Sequence, residues 1–304
     1  MDYLIMPFSV DDIWWLETFI DDWFFVIALA LFVVELLRYA FKKQITKNLL
    51  GDSITNFVTL GLFMLLVSFV ALAYIAVFFF VYDNFKLVEL PPTLWTIGCC
   101  IVLADLAYYW EHRFLHKNGF AWATHTVHHS SPHFNISVAY RHGPLDWLFP
   151  LFFYLPLALL GFHPFIILLA EVIVQVYQTL LHTETVKKLP RPIEAIFNTP
   201  SHHRVHHARN TQYLDKNYAG IFIIWDRLFG TFAKEEEKVK YGVYPQLNSV
   251  NPIKVFFSGY IKLAQQMGVI SKWSNKFRLL YKPPIWAWQQ TQRKRHKATE
   301  NTKQ

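Results

Sequence analysis

Two long apolar runs, residues 23–40 and 56–82, decide what this chain can become. At a rise of about 1.5 Å per residue, each crosses most or all of a hydrocarbon layer roughly 30 Å thick. Lipid offers no partner to a backbone N–H or C=O, so such runs are helices, bonded within themselves. Residues 93–110 form a third run. An apolar pair, 145–162 and 165–181, is broken by Gly161 and Pro164 and either crosses twice or dips in as a re-entrant hairpin. A composition of 53% hydrophobic, 18% aromatic and only 17% charged residues argues against an ordinary soluble domain. The expected fold class is all-α, a polytopic helical membrane protein with a cytosolic helical cap.

Charge sets the orientation. Asp11, Asp12, Asp21 and Asp22 precede the first run and Lys42, Lys43 and Lys47 follow it, which puts its C-terminal end in the cytoplasm. The acidic, aromatic start lacks the basic region and cleavage site of a signal peptide, so no cleavage is expected. Glu35 and Arg38, three apart, either pair or let Arg38 snorkel. From residue 272 onward nine Lys/Arg stand against Glu300, leaving the rest near neutral. That tail, with Trp273, Trp286 and Trp288, suits an anionic lipid surface; a merely solvated tail is the plain alternative, and nucleic acid is a poor fit. Residues 253–267 read as an amphipathic helix lying on the bilayer. Adjacent Cys99 and Cys100 imply no disulfide framework. The expected division is 1–92 for N-terminal spans, 93–250 for a catalytic region and 251–304 for the amphipathic helix and basic tail.

Thirteen of the fourteen histidines fall between His112 and His207. They cluster as His112 and His116, as His125, His128 and His129, and as His202, His203, His206 and His207, with His182 between the last two clusters. Helical residues three or four apart share a face, so each cluster aims imidazoles at one point. Spans placed from hydropathy and lysine bias alone put all of them on the cytoplasmic side, as a shared site requires. Nine plausible ligands, with His202 a tenth, exceed the four to six that one ion takes, so the natural reading is a histidine-rich dimetal site. Iron suits dioxygen chemistry there; zinc and manganese fit by ligand type. His133, His142 and His163 have plainer uses in turns.

Polar residues in the apolar runs add candidates. Asp105 shares a helical face with Tyr108, His112 and His116 and is either an acceptor for a ligand imidazole N–H or a buried acid bonded to a neighbouring helix. Glu171, Gln175, Gln178 and His182 form a stripe that reads as the wall of a substrate or proton path, or as an interhelical polar seam.

The pattern His112-x3-His116, His125-x2-His128-His129 and His203-x2-His206-His207 resembles the fatty acid hydroxylase and sterol desaturase superfamily, over roughly residues 104–232. His182-Thr-Glu184, Asn198-Thr-Pro-Ser, Lys216-Asn-Tyr-Ala-Gly220 and Trp225-Asp-Arg-Leu-Phe-Gly-Thr231 are most similar to its alkylglycerol monooxygenase branch. The resemblance implies a membrane di-iron monooxygenase that hydroxylates a lipid alkyl chain with dioxygen, cleaving ether lipids in that branch. It implies the nine histidines as ligands and a role near the site for Glu184, which joins Asp105 as a candidate catalytic residue. It also implies an electron donor, a tetrahydropterin or a separate cytochrome, since no pterin-binding signature or fused haem motif is readable. Lipid tails are expected to enter laterally between the spans. Two other readings fit the same histidines: a sterol or fatty-acyl hydroxylase or desaturase, and a non-catalytic metal-binding membrane protein.

Overall fold

The computed structural model describes residues 8–301, and the side chains of residues 8–292. Arg293, Lys294, Arg295, Lys297 and Lys303 of the basic tail therefore lie outside the described side chains. In chain order the α-helices are α1 (Val10–Phe41), α2 (Lys47–Phe85), α3 (Leu94–Lys117), α4 (Gly119–His125), α5 (Leu148–Leu159), α6 (Pro164–Leu181), α7 (Arg191–Ile196), α8 (Pro200–His206), α9 (Ile224–Leu228), α10 (Pro252–Val269), α11 (Trp273–Tyr281) and α12 (Pro284–Asn301). The described residues hold no strand beyond an isolated bridge between Ala208 and Tyr241.

Three of these helices, α1, α2 and α6, are long and apolar enough to cross a membrane. α1 starts well before its apolar run because Ser9 and Asp12 form a reciprocal capping box, with Asp11 and Asp12 at the positive end of the helix dipole. On α2, Phe69 is 79% and Leu72 85% exposed, a surface that only lipid would cover favourably. α3 has 24 residues, but Asp105, Tyr109 and Glu111 are buried in it, so it is a polar-lined inner helix and not a third strongly apolar span. The 145–181 pair is unequal. α5, at 12 residues, extends only about 18 Å, too short to cross alone, whereas α6 has 18 residues.

Phe78, Cys100, Ala104, Tyr154, Ile166, Ile167 and Ala170 form the main core, between α2, α3, α5 and α6. At the other end of the bundle, the end of α1, the start of α2 and the ends of α3 and α6 meet the loops that carry the histidines. Glu35 and Arg38 turn out to work there as separate anchors. The Glu35 carboxylate accepts from the Ile136 N–H and the Thr183 and Thr185 hydroxyls, while Arg38 donates to Thr185. α10 does not lie free: it packs Val255, Phe256, Gly259 and Leu263 inward, and a Cβ on Gly259 would stand 1.8 Å from the Ala123 carbonyl oxygen. Its other side exposes Ile253, Phe257 and Ile261.

Candidate metal centre

α3 delivers His112 and His116, one turn apart, to its own C-terminal end. There Asn118 caps α3 and also accepts from the Phe120 and Ala121 N–H groups, starting α4. The chain so doubles back and sets His125, at the end of α4, and His128 and His129, in the following 3-10 turn, over the first pair. His182 caps α6, and α8 brings in the last cluster.

The imidazoles separate into two groups. His112, His116, His125, His129 and His206 form one, and His128, His182, His203 and His207 the other; within each, the ligand nitrogens all lie within 4.8 Å of one another. The doublets His128-His129 and His206-His207 each send one ring to either group, because successive helical residues diverge by about 100°. The groups adjoin, with the rings of His129 and His207 stacked at 4.3 Å.

His202 is not among these donors. On α8 it stands about 140° from His207 but only about 40° from His206, so helical phase alone does not exclude it. Its ring instead packs on Phe232 and lies 3.9 Å from Glu194. Asp105 also differs from the expected imidazole acceptor. Its carboxylate takes the Ile221 and Phe222 N–H groups and the Trp225 indole N–H, which makes it an anchor for the 218–225 loop. Gly220 is required beside it, since a Cβ there would meet Asp105 Oδ1 at 2.2 Å. Glu184 reaches no donor nitrogen. It accepts from the Tyr241 hydroxyl, and Tyr241 stacks on Phe134, which lies against His182, His203 and His207. The polar stripe on α6 resolves into a seam: buried Gln178 donates to the Ala219 and Gly220 carbonyls, while Gln175 is exposed.

The fixed tautomers show what the groups are suited to hold. His112, His206 and His182 donate from Nδ1 to the carbonyls of Tyr218, Lys216 and Gln178 at 3.0, 3.0 and 2.8 Å. A carbonyl only accepts, so Nε2 of each ring is a bare lone pair. These lone pairs point at other imidazole nitrogens: His112 to His125 at 3.0 Å, His206 to His129 at 3.1 Å, and His182 to both His128 at 3.2 Å and His203 at 2.9 Å. Nitrogens bound at roughly 2.0–2.1 Å and at right angles around one cation would be about 3 Å apart. Burial, reinforced by the neighbouring rings, pushes the His125, His129, His203 and His207 imidazoles well below their ordinary 6.5. Burial takes His206 down to about 4 despite its Lys216 carbonyl partner. Convergent, neutral donors, three of them with the outer N–H held by a carbonyl, fit a pair of transition-metal ions.

Two supports were given no role by the sequence. Arg141, fully buried, donates from Nε to the Val127 carbonyl and Ser130 hydroxyl, which flank His128 and His129, and from Nη1 to Asp52 and Asn56 of α2. Asp226 accepts from the Tyr218 and Ala219 N–H groups and so supports the Tyr218 carbonyl that holds His112.

Residues 97–231 match the family model described as fatty acid hydroxylase. Over 213 residues the chain is 43% identical to the alkylglycerol monooxygenase of Danio rerio, covering 70% of this chain and 47% of that protein. The Homo sapiens alkylglycerol monooxygenase is 40% identical over 210 residues, covering 69% and 47%. That of Caenorhabditis elegans is 33% identical over 303 residues, covering 93% and 58%. The chain thus spans about half the length of the curated relatives it matches. No solved structure matches. With every one of the grouped histidines inside the matched segment, residues 97–231 form a domain of the fatty acid hydroxylase family.

Proposed function

We propose that this protein is a membrane di-iron monooxygenase that hydroxylates a lipid alkyl chain, with alkylglycerol ethers as its substrates. The observation that carries this reading is the pair of adjoining, neutral, all-imidazole donor groups at one end of an apolar helical bundle. The nine grouped histidines are its metal ligands. Two iron ions bound there supply the reductive activation of dioxygen that attack on an unactivated C–H bond requires. The balance is R–H plus dioxygen, two electrons and two protons, giving R–OH and water. At the carbon beside an ether oxygen the product is a hemiacetal, which separates into an aldehyde and glycerol.

The chain's own residues prepare the site. Trp122 packs against His116 and His129, Tyr218 against His112, His116 and His206, and Phe134 against His182 and His207, so aromatic faces exclude water around both groups. Asp215, partly exposed, pairs with Lys117 through Oδ2 and sets Oδ1 4.0 Å from His116 Nδ1, placing a carboxylate beside the outer nitrogen of that ring. The site faces the cytoplasm, as the lysines after α1 indicate, where a tetrahydropterin or a separate cytochrome delivers the electrons.

Metal analysis of purified protein, with reductant-dependent oxygen uptake on alkylglycerols, tests the reading. Two irons per chain and aldehyde release matching the oxygen consumed are expected. A site filled with zinc in cells, with no uptake under any reductant, would overturn it.

A further inference from the structure

A cavity of about 960 Å³ opens directly on the donors: His116, His129, His206 and His207 are part of its lining. Its size is at the upper end of the roughly 300–1,000 Å³ typical of small-molecule sites. Another part of the lining, its C-terminal wall, comes from a segment outside the family match. α10 contributes Leu263 along with Lys262 and Gln266, α11 Leu279, and α12 Ile285, Ala287 and Trp288. This wall is seated backbone to backbone. A Cβ on Gly119 would stand 1.9 Å from the Leu279 carbonyl oxygen, matching the close approach of Gly259 to Ala123. Arg209, Gln212, Asp215 and Lys240 add further polar groups to the lining. A mostly apolar lining with a few charged and polar groups, beside the histidines, matches an amphiphile whose reacting carbon lies where head group and chain join. The supply is adjacent. α11 exposes Trp273, Phe277 and Tyr281 at successive turns, with Lys272, Lys276 and Lys282 interleaved, a face suited to the headgroup layer.

Resting on the proposed lipid monooxygenase reading, we infer that the substrate's alkyl chain lies in this cavity against α10–α12, and that this C-terminal wall selects the chain. The tail is then not drawn in laterally between the spanning helices. Ile285 and Trp288 are the selecting positions, since each lines the cavity yet is partly exposed and so tolerates substitution.

The test is photolabelling of the metal-loaded, full-length protein in nanodiscs with an alkylglycerol carrying a diazirine at its chain end. Labels on Leu263, Leu279 or Ile285 that excess unlabelled alkylglycerol removes are expected. Competable labels confined to α1, α2 and α6, with none on the cavity wall, would overturn the inference. Ile285→Trp should also lower kcat/KM for long-chain substrates at least tenfold relative to short-chain ones, and an unchanged ratio counts against the wall. Labelling does not need turnover, so competable wall labels without any hydroxylation would sink the functional reading and leave the cavity assignment standing.

Discussion

Removing Arg141 should undo the metal site from a distance. The guanidinium is fully buried and makes four hydrogen bonds: 2.9 Å to the Val127 carbonyl, 3.0 Å to Ser130 Oγ, 3.0 Å to Asp52 Oδ1 and 2.7 Å to Asn56 Oδ1. In Arg141→Met the Asp52 carboxylate keeps only its Ser131 hydroxyl donor. Breaking a buried ion pair from one side costs about 3–5 kcal/mol, chiefly through the charge left uncompensated. Arg141→Met/Asp52→Asn removes that charge and should recover a large part of the loss, so the two single effects will not add. Val127 and Ser130 bracket His128 and His129, which serve different donor groups, so both groups should loosen together. Thermal unfolding in detergent, read beside metal content, measures this. If the single variant unfolds within about 1 kcal/mol of the parent and keeps both metals, the pair is not what holds the 127–141 loop.

Three further outcomes follow from the geometry. His206→Ala and His207→Ala strike different groups, so each should lose preferentially one of two bound ions and all turnover, whereas His202→Gln should keep both; metal analysis of the three variants decides this. Asp105→Asn weakens three charge-assisted hydrogen bonds to the 221–225 segment and should cost about 1.5–3 kcal/mol per bond lost, with weaker iron retention in chelator competition because the carbonyl collar shifts. The imidazoles' share of the pH dependence has a definite sign. The buried imidazoles titrate below 6.5, His206 at about 4, so below 6.5 these rings bind more protons in the unfolded chain than in the folded one. Their contribution to the stability of chelator-treated protein is therefore full above pH 6.5 and declines as pH falls toward 4. Melting curves at several pH values should show this slope, much reduced when metal is bound.

Much of the site was legible because imidazole spacing is a local property. His112 and His116, or His203 and His207, share a helical face whatever surrounds them, and their number alone called for two ions. The motif residues Asn198, Lys216 to Gly220 and Asp226 were visible too, although their work was not. They form a collar whose carbonyls, those of Lys216 and Tyr218, hold the outer nitrogens of His206 and His112. Asp105 and Glu184 were assigned too close to the chemistry because sequence gives a residue's neighbours along the helix and not across it. The charged stretch before the first apolar run was separated from it by composition, while its capping box made both one helix.

Taken by itself, the sequence determined that the chain must be helical in lipid and that its histidines fall into clusters that share helical faces, since both conclusions depend on short-range periodicity and on what a bilayer cannot solvate. Only the tertiary structure decided which ring joins which group, that His202 joins neither, that Arg141 and Asp52 hold the loop between them, and that the C-terminal helices beyond the family-model match line the cavity at the site. Those facts depend on contacts between segments tens to hundreds of residues apart, and such contacts are set by packing, which no local pattern encodes.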